Sequence, residues 1–455
     1  MPSFVSRLRS DLPPMLSLAL PVVAAELGWM AMGVVDTMMV GRVGAEAIGA
    51  VSLGRALFFT VAIVGVGVLL GLDTLVSMSH GAGRVEDCHR SLIQGVYLAV
   101  ALALPLTVLI RGAGLFLAGW GIDHEVLEAA LPYVRAVSWS VLPLLLCTAF
   151  RRYLQGIDRV RPVMFAQLSA NLVNIAGNWV LIFGKLGLPE LGAEGAGWST
   201  CISSCYMAIV MLGAIVLHDR EEQGGLLRAS MRVDPRRLGE LLALGFPAAG
   251  QLILEVAVFG TATVLAGRLD PAWLAAHQIA LITAGVTFMV PLGISSAGAV
   301  RVGQALGRRD AVGAARAGWT ALLLGVGFML AAAVVLLILP RSLVRLFTAD
   351  ADVVDAGAAL LVVAAFFQLF DGMQVVATGV LRGAGDTRTP FLWNLVGHWL
   401  LGLPIGYYLC FRRGLGAVGL WIGLLIGLGV IGVGLVLVWV RKTRRLDRGL
   451  PVEVV

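Results

Sequence analysis

The chain has 455 residues, of which 58% are hydrophobic and only 14% charged. No polar stretch between its apolar blocks is long enough to hold a soluble domain, so the composition excludes a soluble enzyme and places the chain throughout in a lipid bilayer. The net charge of +6 then reflects where basic residues fall around membrane spans, and not an affinity for nucleic acid.

Apolar runs able to cross about 30 Å of hydrocarbon begin near residues 15, 46, 91, 131, 162, 194, 240, 273, 314, 357, 389 and 416. They predict an all-α integral membrane protein of twelve helices. The first run carries Glu26 and Asp36 and lacks a small-residue cleavage site, so it reads as a retained helix and not a signal peptide. With the N-terminus inside, the cytoplasmic segments collect most of the Lys and Arg. Among them are Arg151, Arg152, Arg236, Arg237, Arg308, Arg309 and the RKTRR run at 441–445, with Arg412 and Arg413 the local exception. This positive-inside pattern predicts both termini in the cytoplasm, at a bacterial inner membrane. The five cysteines, Cys88, Cys147, Cys201, Cys205 and Cys410, have no metal-ligand or redox spacing.

The chain is also a duplication. SLALPVVAAELGWM (17–30) matches LALGFPAAGQLILE (242–255), pairing Pro21 with Pro247. HGAGR (80–84) pairs with QALGR (304–308), and LQGIDRVRP (154–162) with LRGAGDTRTP (381–390). With six helices in each half, both halves start on one side, which makes a parallel repeat about an axis along the membrane normal. The expected organisation is an N-terminal six-helix lobe at 1–217, a polar cytoplasmic linker at 218–238 and a C-terminal six-helix lobe at 239–455. Pro21, Pro105, Pro143, Pro247, Pro291, Pro404, Gly65 and Gly67 are expected soft points.

The repeats do not share their charges: Asp36 faces Ala262, and Glu255 faces Trp29. An ionisable group at the bilayer centre costs roughly 2.5–3.5 kcal/mol on insertion scales, so it turns away from lipid and marks an ion or substrate path. Helical spacing puts Gln251, Glu255 and Phe259 on one face of the seventh helix, and Phe367, Asp371, Gln374 and Thr378 on one face of the tenth. Two carboxylates sharing an apolar site repel. Such a pair can take a proton, bind Na⁺ or attract a cationic substrate. In the other half, Gln167, Asn171, Asn174 and Asn178 fall within an arc of about 60° at about 100° per residue. Asp36 is the expected partner of that stripe, helped by Ser199, Thr200 and Ser203. Glu26 and Asp73 read as structural, Gln278 as a cavity residue, and His277 as a hydrated group near a helix end. No nucleophile–base or zinc-protease spacing occurs, so neither an embedded enzyme nor a cofactor is expected. A flippase for anionic lipid-linked sugars would want cavity arginines, for which only Arg55 and Arg135 qualify.

VDTMMVGRVGAEAIGAVSLG (35–54), GFPAAGQLILE (245–255), AAHQIALITAGVTFMVPLGISSAGAVRVGQALG (275–307) and FFQLFDGMQVVATGVLRGAGDT (366–387) resemble the multidrug and toxic compound extrusion (MATE) transporters, in their NorM-like bacterial branch. The resemblance spans essentially the whole chain. It implies two six-helix bundles in a V, exporting amphipathic, mostly cationic drugs against Na⁺ or H⁺, by a single functional chain. It matches Glu255 and Asp371 to the family's acidic pair, which makes them the candidate Na⁺ ligands, and Asp36, Asn174, Asn178 and Gln278 to its cavity positions. At Phe367 the chain departs from a tyrosine frequent in that branch, losing a hydroxyl that could bind Na⁺.

Overall fold

The computed structural model describes residues 4–117 and 124–447; the two chain ends, whose sidedness was predicted above, lie outside the described residues. Everything described is helix or connecting turn. In order these are α1 (Phe4–Val40), α2 (Ala45–Leu69), α3 (Gly71–Gly81), α4 (Val85–Leu117), α5 (His124–Ser138), α6 (Val141–Gly156), α7 (Val160–Ile182) and α8 (Gly192–Glu222). They are followed by α9 (Pro235–Ala266), α10 (Pro271–Gly307), α11 (Ala311–Ile338), α12 (Pro340–Arg345), α13 (Ala351–Gly383), α14 (Arg388–Asn394), α15 (Leu403–Tyr407) and α16 (Gly416–Asp447). Wide π turns at Leu395–Gly402 and Tyr408–Arg412 join α14 and α15 into one element across 388–412.

Among the described residues nine helices are long and apolar enough to cross a bilayer, and ten if the pair α5 and α6, bent by 45°, counts as one span. The remaining two of the twelve expected segments are α7 and 388–412. Four amides lower the apolarity of α7, and the π turns interrupt the other. Large apolar side chains cover the outside, among them Leu104 at 72% and Leu172 at 70% exposure, as a lipid-facing surface requires. The expected soft points map onto features of three kinds. Pro21, Pro105, Pro247 and Pro291 sit inside continuous helices, Pro143 follows the α5–α6 bend, and Pro404 lies between the π turns.

The chain forms two compact units, Ala24–Ala249 and a second made of Met1–Val23 with Gly250–Val455. The divisions fall two residues after Pro21 and two after Pro247. Within the first unit a Cβ added at Gly67 would lie 2.4 Å from Ala249 Cα; within the second, one at Gly293 would lie 2.8 Å from Val23 N. Gly67 and Gly293 hold equivalent places in the repeat, as do Val23 and Ala249. In each unit, then, a glycine admits the backbone of a proline-bearing helix. The repeated LQGID and LRGAG turns likewise end their helices on a left-handed residue, Asp158 at φ 61° and Gly385 at φ 78°; an aspartate tolerates that conformation and a glycine adopts it freely.

The segment before α9 is tied to the first unit. Gln94 on α4 donates to the Arg232 carbonyl at 2.9 Å and accepts from the Asp234 N–H at 3.0 Å. The Asp219 carboxylate accepts from the Leu226 N–H at 2.9 Å. Arg237 pairs with Asp87.

Gly67→Ala and Gly293→Ala should each lower stability by about 1–3 kcal/mol, because a methyl placed against packed backbone forces the helices apart. Thermal unfolding of the purified variants in detergent checks this, and unchanged melting would remove the close approach from the architecture.

Candidate functional site

In the first unit Asp36 is brought in from α1, the amide stripe from α7 and the hydroxyls from α8. A Cβ at Gly177 would lie 2.6 Å from Ser199 Oγ, so this glycine lets α7 and α8 touch where the polar groups are. Asn178 Nδ2 donates to Asp36 Oδ1 at 2.6 Å and to Asn174 Oδ1 at 3.1 Å. Ser199 Oγ donates to the Asn174 carbonyl at 2.9 Å. Asn174 and Asn178 are fully buried and Asp36 nearly so. Thr200 and Arg55 also lie close enough to act on the Asp36 carboxylate. Ser203 is buried but donates to the Ser199 carbonyl of its own helix at 2.9 Å, so Ser199 supplies the hydroxyl link between helices.

Arg55 is the residue the sequence reading did not attach to this cluster. Its Nη1 donates to the Gly33 carbonyl at 3.0 Å, its guanidinium lies over Phe59 at 5.6 Å, and Phe59 packs edge-on against Trp29 at 5.2 Å. The signal was present in Gly33, one turn before Asp36, where any Cβ would fall 2.0 Å from the guanidinium.

In the second unit the Glu255 carboxylate on α9 faces Gln251 and Gln374, and Asp371 on α13 is close enough to feel its charge. Asp371 is 5% exposed, and neither carboxylate has an ion pair among the described residues. Gln374 is fully buried, yet neither of its amide atoms has a hydrogen-bond partner, and Thr378 Oγ is likewise unpaired. Gln374 therefore adjoins Glu255 without closing a hydrogen bond to it. Phe367 is buried edge-on to Trp421 at 5.5 Å and Phe259 at 6.1 Å. Gln278 is exposed, and no described contact joins it to the acidic pair.

His277 is not hydrated. Trp421 Nε1 donates to its Nδ1 at 3.1 Å and Thr263 Oγ lies 3.0 Å from its Nε2, because the start of α10 packs into the apolar core beside Trp421. Glu26 and Asp73, read from the sequence as structural, pair with Arg151 and, at 3.5 Å, with Arg152.

An all-helical membrane protein built as a repeat, with cation-free carboxylates inside one unit, belongs to the class of membrane transporters. The MatE family model matches residues 21–180 and 247–408, and the chain belongs to that family. It is 37% identical over 443 residues to the "Probable multidrug resistance protein NorM" of Mesorhizobium japonicum, covering 96% of this chain and 95% of that protein. To the "Multidrug resistance protein NorM" of Vibrio cholerae it is 32% identical, covering 96% and 97%. The solved eukaryotic MATE transporter AtDTX14 superposes with a TM-score of 0.87 at 22% identity, covering 97% of this chain and 99% of that one.

Asn178→Ala withdraws the 2.6 Å hydrogen bond to the buried Asp36 carboxylate and should destabilise by about 1–3 kcal/mol. Ser203→Ala, which loses only a bond within its own helix, should cost far less. Melting of both variants separates the two roles, and equal losses would contradict the geometry.

Proposed function

We propose that the protein is a multidrug efflux antiporter, exporting amphipathic, mostly cationic drugs in exchange for Na⁺ or H⁺ by alternating access. The observation that carries this reading is the pair Glu255 and Asp371, two carboxyl groups near enough to influence each other in an apolar unit, neither ion-paired among the described residues. Such a pair repels itself and is relieved by any positive charge that enters, whether a proton, an alkali ion or the ammonium of a drug. Phe259 beside it offers a ring to an amphipathic cation, with the buried Phe367 packed behind it. The naming of relatives as multidrug resistance proteins supports the same direction of use.

Ion and drug then compete for one acidic site. Ion loading from outside neutralises the carboxylates and releases the drug outward, and the empty lobes return to bind drug from inside. One elementary charge moving through 100 mV yields about 2.3 kcal/mol, and each 1.4 kcal/mol is tenfold in concentration, so one ion per cycle sustains a drug gradient of roughly fiftyfold. Glu255 and Asp371 are the Na⁺ ligands if Na⁺ is used; Gln374 and Thr378 oxygens, unpaired and close in sequence, are the neutral ligands to stand in for the hydroxyl that Phe367 lacks. Asp36 with Asn174 and Asn178 is the second site, and Gln278, Thr200 and Ser203 line the drug path. The working orientation has both termini in the cytoplasm of a bacterial inner membrane, with one chain sufficient for transport.

Asp371→Asn and Glu255→Gln should each abolish dye efflux from proteoliposomes while insertion and melting stay near wild type. An imposed Na⁺ gradient alone, then a pH gradient alone, identifies the ion. Efflux at the wild-type rate in both variants would take these carboxylates out of the mechanism.

A further inference from the structure

The repeat builds a similar cradle in each unit, next to the turn formed by HGAGR in one half and QALGR in the other. In the first unit the cavity is about 400 Å³ and is lined by Arg84, Arg90, Arg236 and Arg237 together with Asp87 and Glu240. Each of these arginines is neutralised within the unit. Arg84 pairs with Asp87 at 3.4 Å, Arg90 with Glu86, Arg236 with Glu240 at 3.3 Å, and Arg237 with Asp87 and, at 3.5 Å, with Asp234.

In the second unit the corresponding cavity is about 50 Å³, with Asp11, Arg301, Arg308, Asp310 and Arg316 on its walls. Arg316 pairs with Asp11 at 3.4 Å. Asp310 is committed to capping α11, accepting from the Gly313 N–H at 2.7 Å. Arg301 and Arg308 line the same space and have no ion pair among the described residues.

We propose that this second cradle is an oxyanion site and that its occupant is the phosphate of an anionic phospholipid. Guanidinium groups present planar donor forks that match phosphate oxygens, and two of the three here have no ion pair among the described residues. The space suits one compact oxyanion and is far smaller than the roughly 300–1,000 Å³ of pockets that hold drug-sized ligands. Arg301 and Arg316 lie near the ends of the spans Pro271–Gly307 and Ala311–Ile338, and Arg308 in the turn between them, which is headgroup depth. Val312, in the first turn of α11, is 53% exposed and gives an acyl chain an apolar surface beside the charges. The positive-inside orientation turns this end to the cytoplasmic leaflet, where anionic lipids interact with basic residues near the membrane surface. The assignment uses that orientation and is independent of the transport reading.

Native mass spectrometry of the purified full-length protein, offered phosphatidylglycerol or phosphatidylcholine, reads the preference. Wild type should retain phosphatidylglycerol about thirtyfold better, at roughly one kcal/mol for each of the two free arginines. R301Q/R308Q should lose the preference and R84Q/R90Q should keep it. Should the double variant fold poorly, Arg308→Gln alone, at an exposed position, should reduce the preference. Equal retention of both lipids by wild type, or an unchanged preference in R301Q/R308Q, overturns the site. Inorganic phosphate that displaces phosphatidylglycerol and raises the melting temperature as much would trace the oxyanion to solution and overturn the lipid assignment.

Discussion

A polar group inside a bilayer has no water to fall back on, so each one must be matched within the protein or be left waiting for something that arrives. The two units answer this differently. Around Asp36 the matching is internal: an asparagine donates to the carboxylate, a second asparagine braces the first, and a serine on a third helix holds the second. Around Glu255 and Asp371 it is incomplete, with Gln374 and Thr378 buried beside two carboxyl groups and unpaired. The first arrangement links three helices by hydrogen bonds although Asn178 Oδ1 stays unpaired, whereas the second leaves more hydrogen-bonding capacity in reserve beside its carboxyl groups.

The duplication explains why such different sites stand on one scaffold. What recurs between the halves is backbone geometry: the glycines at 67 and 293 that admit a proline-bearing helix, and the left-handed stops at Asp158 and Gly385. Side chains that do not set helix approach have been free to diverge, and the ionisable ones have. Ion pairs near the ends of the spans even exchange sign, since Arg237 at the start of α9 meets Asp87 on α4, while Asp11, where the apolar part of α1 begins, meets Arg316 on α11.

Much of this was legible in the sequence because hydrocarbon leaves few choices. The periodicity of Asn174 and Asn178 and the depth of Asp36 pointed to one polar cluster, because each of the three must turn away from lipid. Arg55 was missed because its guanidinium reaches across to a backbone carbonyl, and a carbonyl leaves no trace in sequence; only the small size of Gly33 betrayed it. His277 was misread because distance from a helix end was taken as distance from water, while the end of α10 is itself covered by Trp421. The broken course of 388–412 escaped the apolar count for a similar reason, because π turns alter hydrogen bonding without altering composition.

The packing of Phe367 sets a further condition on the acidic site. Its ring is held edge-on between Phe259 and Trp421, and Trp421 in turn fixes His277 through its indole N–H. The Phe367 ring has no oxygen to offer an ion, so it serves as a wall and not as an ion ligand. One turn further on, Asp371 therefore meets apolar surface on the Phe367 side and amides on the Gln374 side. A proton requires only a carboxylate oxygen, whereas Na⁺ would have to gather its remaining oxygens from the Gln374 side alone. On the proposed reading, the geometry that removes the tyrosine from the site also confines any alkali ion to one face of the carboxylate pair, and the ion specificity of transport is decided by the reach of Gln374 and Thr378.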